Sequence, residues 1–193
     1  MDKYDLIMSA ETQFAREVTL GVIVQQPLSV WHYLIPGMFI FDFLRRNTAI
    51  SRYTKHFLFP RKLALDAAQS LRGGDEKAAV NARVETQIGD WLKALNLYSW
   101  QLAQAQRAAV AVLTEHYLKL LEADGATYYD LLADAYHSRE AYEAHLHALT
   151  SSENEVDQAI IAQLGASAKL KEKLLLEAQQ VELRRQKILE DIF

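Results

Sequence analysis

The distribution of proline is the feature of this 193-residue chain that most constrains its fold. All three prolines, Pro27, Pro36 and Pro60, lie in the first third of the sequence, and residues 61–193 contain none. Proline lacks a backbone N–H and breaks helices, so irregular structure is expected near the start of the chain. Long uninterrupted helices are possible everywhere after it.

The composition of the proline-free part is typical of helices. Alanine, leucine, glutamate, glutamine, lysine and arginine dominate it, and no stretch shows the sustained two-residue alternation of a half-buried strand. Residues 18–24, VTLGVIV, are the one strand-like run, which we interpret as the end of the first helix or as a buried extended segment. The sequence therefore predicts an all-α protein, a multi-helix bundle of about five or six helices.

Three short polar or glycine-containing runs predict where the helices end. Residues 73–75 (GGD) are typical of a helix stop followed by an N-cap, and residues 125–130 (GATYYD) are similar. A long central helix is therefore expected over 76–123. The spacing in residues 150–153 (TSSE) is that of a capping box, and it predicts the start of a long C-terminal helix.

The length and composition favour one helical domain over residues 1–193. Its first part, 1–72, is apolar, proline-containing and basic, whereas 75–193 is the proline-free helical part. The chain has no cysteine, which excludes disulfides, thiolate metal ligands and a cysteine nucleophile. Acidic residues interrupt residues 1–24, so this segment does not resemble a secretory signal peptide. We therefore expect a protein of the cytoplasm, a location that includes the inner face of a membrane.

No motif in the sequence indicates catalysis. The glycine pair at 73–74 lacks the spacing of a phosphate-binding loop, and no G-x-S-x-G occurs. No cofactor or small-molecule substrate is indicated. The most site-like residues are two acidic residues and two histidines: Asp134, Glu140, His137 and His147. On one continuous helix these four would share a face and could hold a metal ion. A solvated helix face is the preferred interpretation, because bundle metal sites use Glu-x-x-His pairs, which this chain lacks.

Residues 27–44, PLSVWHYLIPGMFIFDFL, form the most apolar stretch of the chain. A bilayer-spanning helix needs about 20 predominantly apolar residues, and this stretch is shorter and interrupted by Pro36-Gly37. A helix is instead expected from Pro36 to about Phe59, just before Pro60. Its first two turns are apolar nearly all round, so another surface should cover them.

A basic run follows this apolar stretch directly. Residues 43–65 contain six arginines and lysines and no acidic residue. Aromatic residues, an apolar turn and positive charge in this order suit an anionic membrane surface. The predicted contact residues are Trp31, Tyr33, Met38, Ile40, Phe41, Leu44, Arg45, Arg46, Arg52 and Lys55.

The sequence thus predicts a non-catalytic helical binding or scaffold protein that associates through residues 28–59 with a membrane surface or a membrane-protein partner. The alternative is a soluble homo-oligomeric bundle whose interface buries the same residues and which acts as a protein-interaction module. A metal-dependent helical-bundle enzyme is the third hypothesis. The net charge of −4 and the absence of a reading motif count against nucleic-acid binding.

Overall fold

The computed structural model describes the backbone of residues 2–24 and 38–193, and the side chains of residues 2–22, 48 and 50–193. Within these ranges the chain is helical and contains no strand. The helices are α1 (Lys3–Val24), α2 (Met38–Arg72), α3 (Lys77–Ala94), α4 (Trp100–Glu122), α5 (Tyr128–Tyr136), α6 (Arg139–Leu164) and α7 (Ala168–Ile192). The predicted all-α bundle is confirmed, and residues 18–24 are the end of a helix.

Helices α2 and α4 form the centre of the bundle. They pack against each other; α1 and α3 contact both, and α6 packs along α4. Helix α7 packs against α1, α5 and α6. The central contact is apolar, with small residues such as Ala64 and Ala68 on α2 and large ones such as Leu113, Tyr117 and Leu120 on α4, all nearly inaccessible to solvent. Burying these side chains is the main stabilising term of the fold.

Helix α2 does not end before Pro60, as the sequence predicts, but continues through it to Arg72. A proline inside a helix costs about 3 kcal/mol, because it removes a hydrogen bond and crowds the preceding turn. Contacts on both sides of Pro60 offset this cost. The ring of Phe59 stacks on Trp91 of α3 with centroids 4.6 Å apart, and Arg61 is buried against α1. Tertiary packing therefore overrides the local preference.

The long helix predicted over 76–123 is two helices, α3 and α4. The chain turns at residues 95–99, where Asn96 has a left-handed φ of 57° and the Ser99 hydroxyl accepts a hydrogen bond from the backbone N–H of Leu102. The apolar residues of this region are divided between the two helices and the turn that joins them. Trp100 is 68% exposed at the corner between the two helices.

The predicted boundary at residues 150–153 is also wrong, because α6 runs through it to Leu164. The Ser152 hydroxyl donates to the Leu149 carbonyl within the helix, and Glu153 binds two arginines. The boundary lies instead at Gly165, with a φ of 85°, and at the N-cap Ser167. The predicted helix end after Arg72 and the predicted start at Thr127 are confirmed, the latter with a complete capping box to Asp130. The N-cap of α3 is Glu76 and not the predicted Asp75.

Candidate ligand cavity

Most of the predicted membrane-contact residues lie wholly or partly outside the residues that the structure describes. Trp31 and Tyr33 lie outside the described residues. The first turns of α2 carry six more, whose side chains lie outside the described set: Met38, Ile40, Phe41, Leu44, Arg45 and Arg46. Arg52 and Lys55 are described, and both are exposed on α2. Within the described ranges, none of the helices combines the length and apolarity needed to cross a bilayer.

The basic run at residues 43–65 is not one continuous charged surface. Arg61 is only 6% exposed and pairs with Glu11 of α1 at 3.3 Å. The next residue, Lys62, is exposed and pairs with Asp66 at 2.6 Å on the same helix. Two of the six basic residues therefore have carboxylate partners within the bundle, and they contribute little to attracting an anionic partner.

The proposed metal ligands do not lie on one continuous helix. Helix α5 ends at Tyr136, His137 has a left-handed φ of 59°, and α6 begins at Arg139. Asp134 accepts a hydrogen bond from the backbone N–H of Asp124. His137, Glu140 and His147 are all exposed. In the described part of the chain, no three His, Cys, Asp or Glu side chains converge as a metal site would require.

A buried ion network joins four helices, α1, α2, α6 and α7, at the centre of the bundle. Arg61 of α2 contacts Glu11 at 3.3 Å and Glu153 of α6 at 3.4 Å. Arg185 of α7 also contacts Glu153, at 2.8 Å, and donates to the Thr150 hydroxyl at 3.0 Å. The two positive and two negative charges balance, as a desolvated site requires.

The surroundings of Arg61 keep it charged. Burial acts to lower the pKa of its guanidinium, but the carboxylates of Glu11 and Glu153, together with Tyr117, raise the pKa above its ordinary value. The guanidinium carbon also lies 5.1 Å from the ring centroid of Phe14 and 4.7 Å from that of Phe57. These cation–π contacts let the charge lie among apolar side chains.

A cavity of about 1190 Å³ lies beside this network, and we call it the large cavity. Its walls are formed by α2, α4, α6 and α7, with Trp91 of α3. Apolar side chains from all five helices line it: Phe57, Trp91, Leu113, Leu149, Ile160 and Leu174. Small-molecule sites in proteins are typically apolar pockets of about 300–1,000 Å³ with a few polar groups. The large cavity has the size and lining of such a site.

The polar groups of the large cavity include two carboxyl groups, one on α6 and one on α7. These are Asp157 and Glu177, and the hydroxyl of Tyr53 on α2 donates a hydrogen bond to Glu177. Burial, with the charges of Glu177 and Glu153, raises the pKa of Asp157 to about 6. Burial also raises the pKa of Glu177, although the Tyr53 hydrogen bond lowers it in part. No basic side chain that the structure describes forms an ion pair with either carboxyl group.

A smaller cavity of about 430 Å³ shares Arg61 and Arg185 with the large cavity, and its lining includes aromatic and histidine side chains. The rings of His116 and His145 stack with centroids 4.5 Å apart, and Nδ1 of His116 lies 2.7 Å from the Tyr136 hydroxyl. Burial lowers the pKa of His145 to about 4 and lowers that of His116 well below its usual value. Both imidazoles are therefore neutral at pH 7.

Sequence reasoning did not identify the network, and of the residues that line the large cavity it named Arg52 and His147, each for another role. One signal was present. Arg185 and Lys171 fall at positions where the apolar repeat of the last helix requires apolar residues. Arg185 proves to be 4% exposed and ion-paired, whereas Lys171 is exposed. A charge within an apolar repeat thus indicated a buried ion pair in one case and a solvated side chain in the other.

The fold and cavity define a class, an all-α bundle with a polar network at its centre. Comparison of the chain with protein-family models, curated proteins and solved structures gives no match.

Proposed function

We propose that this protein acts by binding and not by catalysis, and that it encloses an amphipathic small molecule in the large cavity. The observation that carries the proposal is the cavity itself, about 1190 Å³ in volume and walled by apolar side chains of five helices. An apolar ligand would replace water against these walls, and burial contributes about 25 cal/mol per Å² of apolar surface. A ligand that also carries a polar group would satisfy the polar side chains at the edge of the cavity.

The arrangement of charges supports binding over chemistry. Two arginines of the lining, Arg61 and Arg185, are held in ion pairs with Glu11 and Glu153. Their donors are therefore engaged, and neither is poised to polarise a reacting group. The histidine pair, His116 and His145, lies in the smaller cavity. At the large cavity the Tyr53 hydroxyl is in contact with the Glu177 carboxyl group, and burial together with Glu177 raises the pKa of Tyr53, which keeps its hydroxyl protonated and a poor nucleophile.

A neutral apolar dye, N-phenyl-1-naphthylamine, provides the test. Its fluorescence increases in apolar surroundings, and we expect saturable binding of one dye molecule per chain. Ala178 lines the large cavity and is exposed, so Ala178→Phe should fill part of the cavity without disturbing the core. The matched control is Ala168→Phe on the same helix, since Ala168 is exposed and outside the lining.

We expect Ala178→Phe to weaken dye binding at least tenfold, whereas Ala168→Phe leaves it unchanged. Far-UV circular dichroism of both variants confirms that the fold is retained. Equal dye affinity in the two variants, or no saturable binding by the unmodified protein, would contradict the proposal.

A second candidate function is association with an anionic membrane surface through α2 and the residues before it. The observation that favours it is the exposure of Arg52 and Lys55 in a run, residues 43–65, without any acidic residue. Each basic residue near an anionic surface contributes about 1 kcal/mol. Replacing both with glutamine is therefore expected to reduce affinity by about 30-fold.

Co-sedimentation with phosphatidylserine-containing vesicles at low salt tests this second function. The control variant carries glutamine at Lys171 and Lys173, two exposed lysines of α7. If the unmodified protein remains in the supernatant, or if both double variants lose binding equally, association through α2 is refuted. Light scattering that shows a stable oligomer, disrupted by Phe41→Glu, would instead favour the homo-oligomeric bundle.

A further inference from the structure

We infer that the ligand of the large cavity is a cationic amphipath, an apolar body bearing a primary or substituted amine that binds between Asp157 and Glu177. This inference rests on the proposed function and specifies the chemical class of the ligand. Both carboxyl groups line the cavity, one from α6 and the other from α7. An ammonium group between them would contact both helices at once.

The charges around the cavity leave these two carboxyl groups without an ion-pair partner among the described residues, although the charge of Arg61 lowers the pKa of Glu177 in part. Arg61 and Arg185 line the cavity too, but their ion pairs are with Glu11 and Glu153. The lining also contains Arg52 and His56 on α2 and His147 on α6. None of these three side chains is within ion-pair distance of either carboxyl group. One more acidic residue of the lining, Glu182 on α7, adds to the negative charge.

Two carboxyl groups in these surroundings favour a positive ligand. Carboxylates that share a partly buried site disfavour each other's ionisation, and an opposite charge between them removes the penalty. The raised pKa of Asp157 is consistent with this balance. The hydrogen bond from Tyr53 satisfies one oxygen of Glu177 and orients the group. Among the side chains that the structure describes, none donates a hydrogen bond to the second oxygen of Glu177 or to either oxygen of Asp157.

An organic ammonium fits these groups better than a metal ion does. No third His, Cys, Asp or Glu completes a metal-binding set with Asp157 and Glu177 in the described residues. An ammonium carries up to three N–H donors, enough to bond to both carboxylates. The apolar part of the ligand would lie against Phe57, Ile160 and Leu174, which line the same cavity.

The test compares three ligands that share an alkyl chain and differ only in the head group. Decylamine, decanol and decanoate each displace bound N-phenyl-1-naphthylamine at pH 7.5, where the amine is protonated. We expect decylamine to bind at least tenfold more tightly than decanol, and decanoate to bind more weakly than both. In the double variant Asp157→Asn and Glu177→Gln, decylamine should lose this advantage while decanol binds as before.

A control variant removes the same charge elsewhere on the same two helices. Glu155 and Glu172 are exposed and outside the cavity lining, so Glu155→Gln with Glu172→Gln should keep the preference for decylamine. The single variant Asp157→Asn, which leaves the Tyr53 bond to Glu177 intact, serves if the double variant does not fold.

The outcomes separate this inference from the proposed function. Equal affinity for decylamine and decanol in a protein that binds the dye would overturn the inference and leave the proposed function standing. A preference that survives in Asp157→Asn with Glu177→Gln, or that is lost equally in the control variant, would also overturn it. Failure to bind the dye at all contradicts the proposed function itself.

Discussion

Replacing Arg61 with methionine removes one side of a buried ion pair and is expected to lower the free energy of unfolding by about 3–5 kcal/mol. The side chains of Arg61 and Glu11 are 7% and 8% exposed. Once the guanidinium is removed, the Glu11 carboxylate has no cationic partner and little access to water. Glu153 is affected less, because its contact with Arg185 at 2.8 Å remains. The expected cost is therefore that of leaving one carboxylate buried and unpaired.

The adjacent residue provides a matched control on the same helix. Lys62 and Asp66 form an ion pair with side chains 57% and 45% exposed. Exposed pairs four residues apart on a helix are worth about 0.3–0.5 kcal/mol. Lys62→Met is thus expected to change stability by roughly a tenth as much as Arg61→Met, although both substitutions remove one positive charge from adjacent positions.

Urea denaturation and thermal denaturation, each followed by circular dichroism at 222 nm, measure the stability of both variants. For a chain of this length, 1 kcal/mol shifts the melting temperature by about 2–4 °C, so Arg61→Met is expected to lower it by about 6–20 °C. A double variant, Glu11→Met with Arg61→Met, should recover most of the loss, because an apolar pair can replace a buried ion pair at little cost. If Arg61→Met costs no more than Lys62→Met, the reasoning about the buried pair is refuted.

Three further predictions concern single positions. An added Cβ at Gly21 would lie 2.0 Å from Oε1 of the buried Gln180, whereas one at Gly89 meets nothing closer than 3.9 Å. Gly89→Ala should therefore stabilise the protein by about 0.5–1 kcal/mol in thermal melts. Gly21→Ala should stabilise it only when Gln180 is also shortened to alanine. The pKa of Asp157 is raised to about 6, so the unmodified protein gains stability as the pH falls from above 6 towards 4. Asp157→Asn should therefore be more stable than the unmodified protein at pH 7.5, and this difference should shrink on acidification. A constant difference across a pH series of urea melts would contradict this. Thr127→Ala removes the hydroxyl of the capping box at α5 and should cost about 1 kcal/mol, a value that urea melts can compare with the isosteric Thr127→Val.

The sequence was most informative where structure depends on neighbouring residues. Helix-forming residues without prolines after Pro60 predict the all-α class, and the class is confirmed. Glycines after Arg72 and the capping box at Thr127 mark real helix ends, because these signals act within one turn of the helix. The predicted contact residues at the start of α2 remain a prediction, with their side chains outside the described set.

Two of the errors share one physical cause, which is that tertiary contacts outweigh local preference. Pro60 lies inside a helix because Phe59 and Arg61 are held by α3 and α1. The residues at 150–153 resemble a capping box but lie within α6, because Glu153 binds the arginines of two other helices. A local signal worth about 1 kcal/mol is readily overridden by such burial.

The sequence by itself determined that this chain forms helices, where several of them end, and which stretch is apolar and which is basic. Only the tertiary structure decided which charges are buried and where a cavity forms. Arg61 and Glu153 are 92 residues apart in the chain, and Asp157 and Glu177 line one cavity only because α6 and α7 pack together. Local periodicity carries no information about such pairs, since ion pairs and cavity walls are set by how helices pack and not by the residues next to each other in sequence.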